Sequence, residues 1–236
     1  MLTKYPAYEV FKTIQGEGAY AGTPMVLLRL MGCDQKCPWC DAAGTWHPDY
    51  KPKTTQWIDP EEFASAYVEK GTRVLITGGE PTLYDLSDLT HAIHSRGGRT
   101  HLETAGHHPV RGLMNWVTLS PKLFTGAMPP VREAMRVASE LKLIIESPEN
   151  LKFQLSWLRR SRPYLKPLVP VWLHPEWSQR NNPVVLNAIL DAVINQDISR
   201  VTLRAGWQLH KLYLADPNPQ GVTVPLGGNP DKGSSI

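Results

Sequence analysis

A fourth cysteine is missing. The 236-residue chain holds three, Cys33, Cys37 and Cys40, an odd number at gaps too short for a disulfide framework. That excludes a stapled secreted fold and leaves reduced thiols suited to a metal or a cluster. No apolar stretch approaches the roughly 18 residues needed to span a bilayer, and the opening MLTKYPAYEV lacks the apolar segment of a secretory signal. A soluble, cytoplasmic protein with no membrane partner is expected. Nor is there a block of like charge: 25 basic and 22 acidic residues leave a formal net charge of +3, which gives no reason to expect nucleic acid as a partner. No internal repeat or long linker divides the chain. A single domain over 1–216 is expected, then a partly flexible tail over 217–236, rich in proline, glycine and polar residues. The apolar Leu212-Tyr213-Leu214 predicts order at the start of the C-terminal extension.

What is present is a βα alternation. Apolar, β-branched runs at Val26–Leu30, Val74–Thr77, His101–Glu103, Val117–Ser120, Leu141–Ile145, Leu168–Leu173 and Val201–Arg204 read as strands. Asp59-Pro60-Glu61-Glu62 places a capping side chain, a proline at the first helical position and acids at the positive end of the dipole, so a helix runs to about Lys70. Ser147-Pro148-Glu149 opens another towards Arg160. Leu186, Ile189, Leu190, Val193 and Ile194 form a helical stripe expected in the core. Strands alternating with helices imply an α/β fold with a mostly parallel sheet, open or closed into a barrel.

The three cysteines follow the strand ending Leu30-Met31-Gly32, at the C-terminal end where such folds assemble active sites. Three thiolates would leave one iron of an iron-sulfur cluster open to a chelating ligand. The rival is a Cys3His zinc site completed by His47. Thr77-Gly78-Gly79-Glu80-Pro81 ends a later strand. Its glycines permit close backbone approach, and its carboxylate can accept from an ammonium.

Cys33-x3-Cys37-x2-Cys40, with Trp39 before the last cysteine, and the GGEP segment resemble the radical S-adenosylmethionine superfamily. Before them stands Gln15-Gly16-Glu17-Gly18, then Arg29. After them come Ser120-Pro121-Lys122, Glu103-Thr104-Ala105-Gly106 and Leu209-His210-Lys211. Together these resemble the 7-carboxy-7-deazaguanine synthase family. The resemblance implies a modified, incomplete (β/α) barrel of TIM type. It implies a four-iron, four-sulfur cluster on Cys33, Cys37 and Cys40, and S-adenosylmethionine held by Trp39, Gly78, Gly79, Glu80, Ser120 and Lys122. It also implies a pterin substrate held by Gln15, Glu17, Arg29, Glu103 and His210.

The implied reaction converts 6-carboxy-5,6,7,8-tetrahydropterin to 7-carboxy-7-deazaguanine with loss of ammonia, a carbon–nitrogen lyase step towards queuosine and other deazapurines. A reductant such as flavodoxin or ferredoxin and a homodimer are further implications. Independently of the family, a carboxylate such as Glu103 suits the amidine-like edge of a pterin, and Arg29 or His210 suits a carboxylate substituent. Arg29 faces inward from a strand and so needs a partner.

One departure concerns Mg²⁺. Family members carry a hydroxyl residue where this chain has Ala42, which leaves Asp41, with Thr45 as a second candidate, to hold the ion. His91, His94, His101, His107 and His108 are irregularly spaced and are assigned to surface or packing, and the tryptophans other than Trp39 to the core. Two alternatives are an activase-like radical enzyme acting on a partner protein, and a zinc-bound interaction module.

Overall fold

The computed structural model describes residues 3–124, 126–195, 198 and 201–213. Its strands are β1 (Tyr5–Ile14), β2 (Pro24–Leu30), β3 (Gln56–Ile58), β4 (Arg73–Gly78), β5 (Arg99–Thr104), β6 (Trp116–Leu119), β7 (Glu140–Ile145), β8 (Val169–Pro175) and β9 (Val201–Ala205). Its helices are α1 (Pro60–Tyr67), α2 (Ser87–Ser95), α3 (Arg132–Val137), α4 (Pro148–Ser161), α5 (Pro183–Asn195) and α6 (Leu209–Leu212). One sheet takes the order β3-β1-β2-β4-β5-β6-β7-β8-β9. From β2 through β9 every neighbouring pair is parallel, and β1 and β3 add an antiparallel margin. The barrel is incomplete, with β3 and β9 left as its two edges.

Alternation along the strands divides the molecule. Leu28, Leu30, Ile76 and Leu102 point outward and are fully buried with Phe63 of α1 and Leu89 and Ile93 of α2. Leu141, Leu143, Ile145, Val171 and Leu173 pack with Leu151, Leu155 and Leu158 of α4. The intervening residues face the barrel interior, where the polar Arg29, Glu103, Thr118, Glu140, Lys142 and His174 stand beside the apolar Leu27, Leu75 and Ile144. Glu140, 1% exposed, is satisfied by Thr118 Oγ1 at 2.8 Å, Trp172 Nε1 at 2.8 Å and Ala19 N at 2.9 Å.

The local signals act as expected where the chemistry is local. Asp59 accepts from the amides of Glu61 and Glu62 at 3.0 and 3.3 Å, and Ser147 caps α4 through Asn150 N at 3.1 Å. Helix α1 stops at Tyr67, short of Lys70, because Val68 turns extended and buries its side chain. Leu168 does not begin β8: it adopts a positive φ of 58° and is exposed. The expected stripe on α5 is rotated. Val185 and Ile189 are buried, with Ala188, Ala192 and Val193 packed against the core, whereas Leu190 and Ile194 are exposed and Leu186 is half-buried. Of the C-terminal extension, Leu212 and Tyr213 are ordered at the end of α6 but exposed. Leu214 and the tail over 217–236 lie outside the described residues.

Two interior histidines make stability pH-dependent. Burial, aided by Arg73 and Arg99, pulls His101 down to about 4. Burial also pulls His174 to about 4, with Glu17 and Glu103 opposing and Lys142 and His210 adding to the fall. Between the ordinary value of 6.5 and about 4, the unfolded chain binds protons that the folded chain refuses. Stability is therefore full above that window and falls as pH drops through it. Urea unfolding across pH 4.5–7 should show the decline, and His174→Leu should remove about one proton from its slope. A slope that His174→Leu leaves unchanged would show that this histidine does not carry it.

Candidate active site

A cavity of about 390 Å³ opens at the C-terminal ends of the parallel strands. Its wall collects Cys33, Cys37, Trp39, Cys40 and Asp41 from the loop after β2, and Gly78, Gly79 and Glu80 from the end of β4. Glu103 comes from β5, Ser120 and Lys122 follow β6, and Lys142 comes from β7. Gln15, Glu17, Arg29 and His210 line it as well. Of the residues singled out by sequence, Thr45 and the zinc candidate His47 are not on the wall.

The cysteines are free thiols. Burial raises the pKa of Cys33, pushes Cys37 up to about 11 and Cys40 to about 12. Trp46 Nε1 lies 3.4 Å from the Cys40 sulfur. Among the described residues, no group of three ligand atoms drawn from these cysteines and His47 converges within 4.8 Å. A single zinc ion needs such convergence, whereas a cluster whose thiolates sit on separate irons does not. His47 Nδ1 is instead engaged by the amide of Asp49 at 3.3 Å.

The two glycines at the end of β4 serve the protein's own backbone. A Cβ on Gly79 would stand 2.0 Å from the carbonyl oxygen of Gly32, and one on Gly78 2.3 Å from that of Leu30. Their absence of side chains lets β4 seat against the start of the cysteine loop, where Gly79 N and Glu80 N donate to Leu30 O and Gly32 O at 3.1 and 2.8 Å. Glu80 then staples β4 to β5. Its Oε1 accepts from Thr82 N, Thr82 Oγ1 and Thr104 Oγ1 at 3.0, 2.6 and 2.6 Å, and its Oε2 from Ala105 N at 2.8 Å. Lys122 Nζ donates to Ser120 Oγ at 2.9 Å on the same wall, and Trp39 meets Phe124 edge-on at 5.2 Å.

Lys142 organises the opposite end of the cavity, and the sequence reading passed over it. Its ammonium donates to Glu17 Oε2 and, at 2.7 Å, to Glu103 Oε2, while Gln15 Nε2 donates to Glu103 Oε1 at 3.0 Å. Burial alone would raise the Glu17 pKa, but Lys142, His174 and His210 outweigh it and hold the carboxyl at about 2. Burial would likewise lower Lys142, and Glu103 and Glu17 outweigh it and raise its pKa. Glu17 therefore stays ionised beside a permanent cation. His174, fully buried behind Glu17, has its Nδ1 3.9 Å from Glu17 Oε1.

The segments distant in sequence are docked here by small residues. A Cβ on Gly16 would fall 1.9 Å from His210 Nδ1, and Leu209 N donates to Gly16 O at 2.8 Å, so the QGEG turn and α6 pack directly together. Arg29 does find the partner its position requires: Nε lies 2.5 Å from Glu9 Oε1 on β1, with both side chains largely buried. Asp41 pairs with Lys211 at 3.1 Å. Thr45 is fully buried, and its hydroxyl donates to the Ala42 carbonyl at 2.7 Å.

Asp34, His107 and His108 bring three ligand-type atoms within 4.8 Å of one another. Hydrogen bonding accounts for them. The Gln35 amide is oriented by Met128, donating to its carbonyl at 2.8 Å and accepting from its N–H at 3.1 Å. The Gln35 NH2 group therefore faces His107 Nδ1 at 3.0 Å, which must accept. The proton then sits on Nε2 and is donated to Asp34 Oδ1 at 2.6 Å, which leaves Nε2 no lone pair for a metal. His108 Nε2 meets the other Asp34 oxygen at 2.8 Å. The group is a clasp that ties the cysteine loop to the segment after β5.

Comparison with known proteins agrees with this geometry. The radical SAM superfamily model matches residues 28–151. The 7-carboxy-7-deazaguanine synthase of Synechocystis sp. is 38% identical over 177 residues, covering 75% of this chain and 80% of that protein. The enzyme of the same name from Flavobacterium psychrophilum is 34% identical over 212 residues, covering 90% and 92%. A crystal structure of QueE from Escherichia coli superposes with a TM-score of 0.71 at 27% identity, covering 88% of this chain and 95% of that one. A match to the superfamily model over more than half its length, joined to relatives aligned along most of theirs, means that the chain belongs to the 7-carboxy-7-deazaguanine synthase family of radical SAM enzymes.

Proposed function

We propose that the chain carries out the reaction for which its relatives are named, converting 6-carboxy-5,6,7,8-tetrahydropterin to 7-carboxy-7-deazaguanine with loss of ammonia, as a step towards queuosine and other 7-deazapurines. The observation that carries this reading is one cavity with two chemically distinct ends. Three free thiols and a Gly-Gly-Glu segment form one end, and a buried Glu17–Lys142–Glu103 group forms the other. Its volume suits a small molecule rather than a loop of a partner protein, which argues against an activase-like role.

In this reading Cys33, Cys37 and Cys40 hold a four-iron, four-sulfur cluster. Trp39, Gly78, Gly79, Glu80, Ser120 and Lys122 hold S-adenosylmethionine. When bound and reduced, this pair would supply the radical chemistry that removes a hydrogen from C6 of the pterin. Each cysteine would give up a proton on ligation, and burial keeps the free thiols protonated until then. Gln15, Glu17 and Glu103 receive the polar edge of the ring, while Arg29 and His210 face its carboxylate. The role of these side chains is to orient the ring and keep bulk water from it.

Mg²⁺ is the third expected cofactor. Asp41, with water and the substrate carboxylate, is the oxygen ligand on the wall, and its partner Lys211 would have to release it. We assign the protein to the cytoplasm as a homodimer served by a flavodoxin- or ferredoxin-type reductant, with residues 1–216 as one domain. Among the described residues no helix is long and apolar enough to cross a membrane.

Anaerobic reconstitution with iron and sulfide, followed by reductant, S-adenosylmethionine and 6-carboxytetrahydropterin, should yield 7-carboxy-7-deazaguanine by mass spectrometry. 5′-Deoxyadenosine without that product would overturn the substrate. Cys33→Ala, Cys37→Ala and Cys40→Ala should each abolish cluster absorbance and turnover. Retained turnover in any of them would remove that thiol from the ligand set. Arg29→Ala should leave the cluster intact and weaken pterin binding by about tenfold or more, and an unchanged affinity in titration would take Arg29 out of the substrate site.

A further inference from the structure

Lys142 brings a hydrogen-bond donor to the cavity where a heterocycle's edge must be read. Building on the pterin reading above, we propose that Lys142 sets specificity for a 4-oxo ring: its remaining N–H donates to the ring carbonyl while the adjoining carboxylate accepts from the neighbouring N–H groups.

An ammonium has three N–H donors. One goes to Glu17 Oε2 and one to Glu103 Oε2 at 2.7 Å, which leaves a third on a side chain that lines the cavity. The Glu103 oxygens each accept one bond within the protein, from Gln15 and from Lys142. Each keeps a second lone pair. Lys142 and Glu103 thus present a donor and an acceptor side by side. A 2-amino-4-oxo pterin offers the complement in one row: the 2-amino group and N3–H as donors, then the carbonyl oxygen as acceptor.

A 2,4-diamino ring of the same size reverses the last element. Its 4-amino group would set donor against donor, and it protonates readily on a ring nitrogen, setting cation against cation. Burial sharpens the penalty, because the Lys142 and Glu17 side chains are only 9% and 8% exposed and that of Glu103 15%. Charge acts in the same direction. Glu17, Glu103 and Lys142 sum to one negative charge, and loss of the ammonium would leave two, which favours the protonated diamino ring. A lysine that served packing alone would not tell the two rings apart.

The test is a fluorescence titration of reconstituted protein with 6-carboxypterin, which has no hydrogen on C6 to react, and with 2,4-diamino-6-carboxypteridine. Wild type should bind the 4-oxo ring at least about tenfold more tightly. In K142M that preference should vanish or invert, with cluster absorbance retained. K142M strands two buried carboxylates and can fail to fold. The double variant K142M/E17L restores the original net charge of the group and introduces no new donor, and its preference should also fall. A preference kept in the double variant, or absent from wild type, overturns the role of Lys142 and leaves the pterin reading standing. If wild type binds neither ring, the pterin reading fails and the proposal with it.

Discussion

The buried ammonium of Lys142 holds the far end of the cavity together. It joins β7, β5 and the turn after β1 at one point, through ion pairs to two largely buried carboxylates. Glu17 and Glu103 repel each other, and a single cation between them makes the pair tolerable and fixes both rotamers. Gln15 and His174 pack onto the same carboxylates from either side. The surrounding barrel supplies the rigidity. Each strand that brings a polar residue inward sends its neighbours outward into one of two apolar layers against the helices.

The cysteine loop is held by a different means. Gly32, Gly78 and Gly79 bring backbone into direct contact with backbone, and the loop is hydrogen-bonded to the end of β4 without any side chain between them. On its other side the Asp34–His107–Gln35–Met128 chain fastens it to the segments after β5 and β6, with every donor matched to an acceptor. One end of the cavity is therefore positioned by main chain and a chain of side-chain hydrogen bonds, the other by an ammonium set between two carboxylates.

Much of this was legible in the sequence, and the reasons for the exceptions are specific. Motifs whose ligands or caps lie within a few residues, such as Cys33 to Cys40 and Asp59 to Glu62, declare themselves because the interaction is local. Lys142 was hidden inside Leu141–Ile145, a run that reads as an apolar strand. The rule used for Arg29, that an inward charge on a strand demands a partner, applied equally to it. Strand β1 escaped because a register shift between Ala7 and Glu9 breaks its alternation. The partner of Arg29 was missed with it. On α5 five apolar residues fit a helical stripe, but Ala188 and Ala192 fill part of the buried face, displacing Leu190 and Ile194 outward.

His107 shows why ligand-type residues must be read through their second hydrogen bond. Two histidines converge on one carboxylate, an arrangement that would pass for a metal site on distance alone. The orientation of one glutamine amide, itself set by the backbone of Met128, decides which ring nitrogen carries the proton and turns His107 into a donor to Asp34. The same accounting gives Lys142 its unspent donor. In each case the outer shell fixes what the residue beside the cavity can offer, and no spacing of residue types along the chain reveals it.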